Sequence, residues 1–433
     1  MTKCTHNLSK QILGPAIRIL MLTLLVGFGA GVALAQTRGY VTNTLDNTVS
    51  VIDPATQSVI ATVPVGSGPK GVAVTPNGRF VYVVNQLGNT VSVISAAGNT
   101  VVATVPVGVF PTAIGITPNG TFAYVTNTAS SNISVIDTAT NTVVTTMPVS
   151  SPFMLAISSS GNLGYVTHGA IVNGVTVINT ATNSVVTNIP IPVDVALAAA
   201  VTPNGAFVYV TCFSFSTGPK LAVIDTATNT VTGFVPLPAA TFSQAVAITP
   251  NGAFAYVANN GNTNCCGGGF VASSVSVVDT ASNTEIATMP VASPLGIAVT
   301  PDGAFVYVTN INDDTVTVMS TATNTVVASV PVGNFPHSIA FGRVQEDTIE
   351  SLIARVEALI TGGTLTQNQG DGLIDKLEEA RAKIDARQTS AACNQLSAFI
   401  NQVNGLINNA SLTAAQGQAL INAANAIKTN LGC

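Results

Sequence analysis

The chain has no tryptophan, three histidines and a charged fraction of only 8%, against 47% hydrophobic residues in a length of 433. Such a composition excludes intrinsic disorder and leaves ample material for a large core. Its few charges are unevenly placed. Residues 1–35 carry Lys3, Lys10 and Arg18 and no acid, while the remainder holds 11 basic against 19 acidic side chains, a balance of −8. Only five basic residues fall within 36–344, which argues against nucleic acid or anionic lipid as partners. There is no C-x-x-C pair of a zinc site and no C-x-x-C-H haem-attachment motif, so no cofactor is expected. Long apolar runs are lacking too, with one exception. Ile19–Val32 follows the basic stretch and precedes Ala33-Leu34-Ala35, small residues that suit a signal peptidase. The expectation is a signal peptide over 1–35, export, and no transmembrane segment after cleavage. The expected destination is the periplasm, the cell surface or the medium. Five cysteines then remain: Cys212, Cys265, Cys266, Cys393 and Cys433. All are disulfide candidates in an exported chain, and the odd number leaves at least one without an internal partner.

What is present is a repeat. All seven tyrosines (Tyr40, Tyr82, Tyr124, Tyr165, Tyr209, Tyr256 and Tyr307) precede Val in a YVTN-like phrase, at intervals of 42, 42, 41, 44, 47 and 51 residues. That period, filled with two-residue apolar–polar alternation, predicts a β-propeller with one four-stranded blade per repeat. A blade reads as inner strand Ala113–Ile116, a turn at Thr117-Pro118-Asn119-Gly120, then strands Phe122–Asn127, Ile133–Asp137 and Thr142–Val149. A proline recurs in each fourth strand, from Pro64 to Pro331, which places that strand at the outer edge. The first repeat lacks an inner strand, and a spare one, Ser338–Gly342, follows the seventh. The expected fold class is therefore an all-β seven-bladed propeller over 36–344, closed by its C-terminal inner strand.

The YVTN, TPNG and DTATNTV phrases resemble the YVTN-type repeats of bacterial and archaeal surface-layer and secreted proteins over about residues 39–343. The resemblance implies an extracytoplasmic propeller without implying one activity.

From about Gln345 the spacing becomes helical, with Asp347 and Glu350 at capping-box distance. The segment repeats with an offset of 47, so that Leu365-Thr366 with Gln369 matches Leu412-Thr413 with Gln416. This predicts a small all-α domain over 345–433, built from two α-hairpins. The tail resembles the FIMAH-type helical module of secreted bacterial proteins, which implies attachment or interaction. A Cys393–Cys433 disulfide would tie the last hairpin.

Two surfaces are candidates for function. The channel mouth is expected to present Lys70, Thr112, Phe153, Leu197, Gln244, Leu295 and His337, a chemically mixed set without converging metal ligands. His168 reads as a polar loop residue and Glu285 as part of an outer strand. Asn310–Asp314 gathers oxygen donors but lacks the glycine and distal Glu of a calcium loop. The second surface is the pair of enlarged loops Thr211–Lys220 and Asn259–Ser274, with Phe213, Phe215 and Phe270 as contacts and a Cys212 link to Cys265 or Cys266. The main expectation is a non-catalytic binding or scaffold propeller that meets a cell-surface protein or polysaccharide. The competing one is a lactonase- or lyase-like enzyme acting at the mouth, where Lys70 and His337 are the thin equivalent of a basic phosphate site.

Overall fold

The computed structural model describes residues 36–168, 174–193, 195–214, 218–237, 241–261, 272–344 and 347–433. The expected signal peptide, Phe215, Phe270, Cys265 and Cys266 lie outside them. Among the described residues there are seven four-stranded antiparallel sheets and four helices, a seven-bladed propeller followed by a small helical domain. None of these helices is long and apolar enough to cross a membrane.

Blade one takes its innermost strand, Pro336–Val344, from the end of the repeat array, and pairs it with Gln36–Asn43. The inner strands of blades two to seven begin at Pro69, Pro111, Leu155, Val195, Thr241 and Pro294. The outer strands alternate exposed and half-buried residues and present their prolines to solvent, as an edge strand tolerates.

The YVTN phrase joins blades in two ways and braces its own blade in a third. Its tyrosine is buried in every blade. Tyr82, Tyr124, Tyr209 and Tyr256 donate their hydroxyls to Oδ1 of Asn141, Asn183, Asn283 and Asn324 in the outer turn of the next blade, at 2.6–2.7 Å. Those asparagines hold φ of 51–54°, the left-handed region that Asn tolerates. The threonine accepts a backbone N–H from the inner strand of its own blade and donates to a carbonyl of the next inner strand. Thr42 reaches Lys70 O, Thr126 Phe153 O, Thr167 Leu197 O and Thr309 His337 O. The asparagine stays within its blade, where Asn85 Nδ2, for example, donates to Thr90 and Ser92.

Loss of the Tyr82 hydroxyl in Tyr82→Phe is expected to cost about 1–2 kcal/mol, because it strands a bond to Asn141. Tyr165 has no hydrogen-bond partner for its buried hydroxyl, so Tyr165→Phe is expected to stay within about 0.5 kcal/mol of the parent. Urea denaturation of both variants checks this, and equal losses would remove the latch role.

The helices are α1 Ile349–Thr361, α2 Gln367–Asp385, α3 Thr389–Asn408 and α4 Ala414–Asn430. Thr366 with Gln369 and Thr413 with Gln416 close matching capping boxes. The first helix departs from expectation by one residue. Thr348 caps α1 with Ser351, and Asp347 instead pairs with Arg355. Leu352, Val356, Leu373, Leu377, Phe399 and Val403 form the core of this domain, and a disulfide joins Cys393 to Cys433.

Candidate functional site

Each inner strand except that of blade four breaks register near its start, so that two residues oppose one on the neighbouring strand. A bulge of this kind re-aims side chains. A cavity of about 270 Å³ occupies the channel, lined by Phe153, Gln244, Leu295, His337 and Ser338 among small and aliphatic neighbours. Four of the seven expected mouth residues therefore face it.

Lys70, Thr112 and Leu197 do not line it. In their blades the next residue, Gly71, Ala113 or Ala198, takes the lumen position. Thr112 is buried and shares a hydrogen bond with Thr128 at 2.8 Å. Leu197 is half-buried, and its carbonyl receives Thr167.

Lys70 stands at the rim instead. Its ammonium lies 5.8 Å from the centre of the Phe335 ring, and burial holds its pKa below the usual lysine value. No carboxylate among the described residues pairs with it. His337 is packed densely by the surrounding wall but keeps part of its surface in the lumen. Burial, assisted by the Lys70 charge, pushes its pKa down to about 3, and Nδ1 meets Ser338 Oγ at 3.0 Å. The site thus combines a cation without a counter-ion, a neutral imidazole and a hydroxyl.

The low pKa has a consequence for stability. The unfolded chain takes up the histidine proton near the ordinary value of 6.5, whereas the folded chain resists it down to about 3. The contribution is therefore complete above pH 6.5 and is lost as pH falls through that window. His337→Gln is expected to flatten the acid limb of stability between those values. An unchanged pH profile in denaturant melts would contradict this.

No group of three or more His, Cys, Asp or Glu able to hold a metal occurs among the described residues. In the cluster Asn310–Asp314, Asn310 Oδ1 is buried without a hydrogen-bond partner, and the side chains are held mainly through their nitrogens. Asn310 Nδ2 donates to Thr315 and Thr317, Asn312 donates to Ser293, and Asp314 accepts the Phe335 amide.

The second expected surface is corrected in several places. Phe213 is buried and stacks on Phe242 with ring centres 4.4 Å apart, because the strand Phe207–Ser214 runs through the segment read as a loop. The insertion at 211–220 is mostly a longer hairpin, with Ser214 opposite Gly218. The strand Phe254–Gly261 likewise absorbs the start of the segment at 259–274. Cys212 is a buried free thiol whose pKa burial raises to about 12, and not half of a disulfide. His168 lies just past the strand Leu163–Thr167, but it is not an exposed loop residue. It occupies the YVTN asparagine position, buried, with Nε2 at 2.7 Å from Thr176 and Nδ1 at 2.7 Å from the Ser150 carbonyl. Glu285 lies in the outer strand Thr284–Pro290 and accepts from Thr288.

Sequence reasoning missed Ser338 and Phe335. The signal was present for Ser338: the closing strand begins Pro336-His337-Ser338, with a serine where the other blades place Gly, Ala or Met.

Residues 34–151, about a quarter of the chain, match the model of a family described as lactonase, seven-bladed β-propeller. No curated protein matches. Among solved structures, hydrazine synthase of Kuenenia stuttgartiensis is similar at 24% identity and TM-score 0.58, over 63% of this chain and 88% of that one. A functionally unknown protein of Desulfotomaculum acetoxidans gives 17% and 0.60, over 71% and 99%. A Bacteroides uniformis protein assigned provisionally as a 6-phosphogluconolactonase gives 15% and 0.59, again over 71% and 99%. At these identities the likeness establishes the fold alone.

Proposed function

We propose that this propeller is a lactonase-like hydrolase that opens a small cyclic ester at the channel mouth. The observation that carries the reading is Lys70, a partly desolvated cation without a counter-ion, standing beside the neutral His337 over an otherwise largely apolar lumen. The lactonase family match over the first blades and the fold shared with a 6-phosphogluconolactonase candidate support the same class.

Water adds to the lactone carbonyl, and the Lys70 ammonium stabilises the developing oxyanion. In the tautomer that donates Nδ1–H to Ser338, Nε2 is left as an acceptor for the proton of the attacking water. The ring C–O bond then breaks, the proton passes to the leaving alkoxide, and a hydroxy acid is released. An imidazole with so low a pKa is a weak base, so Lys70 carries the larger share.

A δ-lactone panel followed by acid release tests this. Lys70→Met is expected to lower the rate at least tenfold and His337→Gln severalfold, with the melting temperature of each variant measured alongside. Absence of ring opening by the parent, or variants as active as the parent, would refute it.

The disulfide between Cys393 and Cys433 supports export to an oxidising compartment. On that reading the helical domain serves as an attachment module at the cell envelope.

A further inference from the structure

The mouth-side loops of blades one to three expose large apolar side chains that the fold does not need there. Leu45 is 69% exposed, Leu87 67%, Val109 53% and Phe110 43%. These residues are linked to one another and to Lys70. The amides of Thr44 and Leu45 donate to the carbonyls of Phe335 and Asn334, and the Phe335 ring lies under the Lys70 ammonium. Leu87 packs over Gly68, two residues before Lys70, so closely that a Cβ on that glycine would come within 2.7 Å of Leu87 Cγ. Asn89, from the same loop as Leu87, accepts the Phe110 amide at 2.9 Å. The result is an apolar strip tied to the Lys70 cation and flanked by the Asp46 carboxylate, whose oxygens accept from the Asn334 amide and side chain.

A partly desolvated ammonium calls for an anion, and exposed leucines and a phenylalanine call for hydrocarbon. Together they select one ligand chemistry. We propose that this strip binds amphipathic carboxylates, with the headgroup on Lys70 and an alkyl body across Leu45, Leu87 and Phe110. The inference rests on the ring-opening reading for its consequence: the substrates are alkyl-substituted lactones, whose hydroxy-acid products carry just such a carboxylate. The strip faces away from sugar lactones, whose hydroxyls would be left against apolar side chains.

Calorimetric titration of the full chain with octanoate, butanoate, gluconate and octanol tests the binding without requiring turnover. Affinity is expected to rise about two- to fourfold for each methylene from butanoate to octanoate. Gluconate should bind at least tenfold more weakly than octanoate. Lys70→Met should weaken octanoate at least tenfold and leave octanol unchanged. Leu45→Ser with Leu87→Ser, at exposed positions where folding is not at stake, should flatten the chain-length series. Octanoate binding no tighter than gluconate, or a series untouched by the leucine variants, overturns the inference. The two proposals fail separately. Octanoate binding as described with every lactone left intact would leave this site standing and end the hydrolase reading. Equal opening and equal KM for gluconolactone and alkyl lactones would do the reverse.

Discussion

A chain ending at Asn334 is expected to lose its cooperative thermal transition, whereas one ending at Val344 should keep a propeller melt. The ten residues that distinguish them are Phe335 and the nine-residue inner strand of blade one, Pro336–Val344, paired along Gln36–Asn43 and packed beside the inner strands of blades two and seven. Ile339 and Val344 are buried, and Phe341 meets Tyr307 edge-on at 4.9 Å. Burying three such side chains is worth about 1.5–3 kcal/mol each, and the ladder adds roughly 1 kcal/mol per bond. That sum is comparable with the whole stability of an ordinary domain, about 5–15 kcal/mol. Removing the strand also leaves a ladder edge of blade one in water and opens the ring. Full-length Ile339→Asp, which places a carboxylate at a buried position, is expected to resemble the shorter chain. Calorimetry of all three decides it. A cooperative transition retained by the chain ending at Asn334 would show that closure is dispensable.

That strand was legible in the sequence because its absence from the first repeat and its surplus after the seventh are the same fact seen twice. The blades were legible for a related reason: each alternation, turn and edge proline is enforced seven times. The tyrosines were visible as a pattern but not as latches, since the asparagine that Tyr82, Tyr124, Tyr209 and Tyr256 each meet lies in the following repeat. Positions at which one blade departs from the others were harder. His168 and Cys212 both stand where asparagine binds the third strand, and polarity alone suggested a loop for one and a disulfide for the other. Blade two has Ser95-Ala96-Ala97 where five blades have Thr-Ala after an Asp, Asn or Ser, and its reason is tertiary. Ala96 belongs to the cluster with Tyr40, Val81 and Val344, where the chain leaves the propeller, and its carbonyl accepts Arg38 Nη1 at 2.8 Å. The mouth was half legible. A count along each strand named a lining residue in four blades, but in blades two, three and five the next residue, Gly71, Ala113 or Ala198, lines the cavity in place of Lys70, Thr112 or Leu197.

Reduction of the Cys393–Cys433 disulfide is expected to melt the helical domain first and leave the propeller intact. The bridge closes a loop with a sequence separation of 40 and joins α3 to the residue that ends the chain beyond α4. In the chain-entropy picture a loop of that length contributes about 4 kcal/mol. The domain has little else in reserve, because a helical unit of under ninety residues has a small core, here centred on Leu396, Phe399, Val403 and Leu420. Its first hairpin repeats the second at an offset of 47 but has no bridge, so the asymmetry belongs to α3 and α4 alone. Cys433→Ser is therefore expected to lower the helical transition, followed by far-ultraviolet circular dichroism, without moving the β-sheet transition. A reductant should reproduce the effect in the parent and add nothing in the variant. If reduction shifted both transitions together, the two domains would share one cooperative unit, and the tail could not act as a module apart from the ring. If it shifted neither, the bridge would contribute nothing to stability, and the argument for an oxidising compartment would lose its structural support.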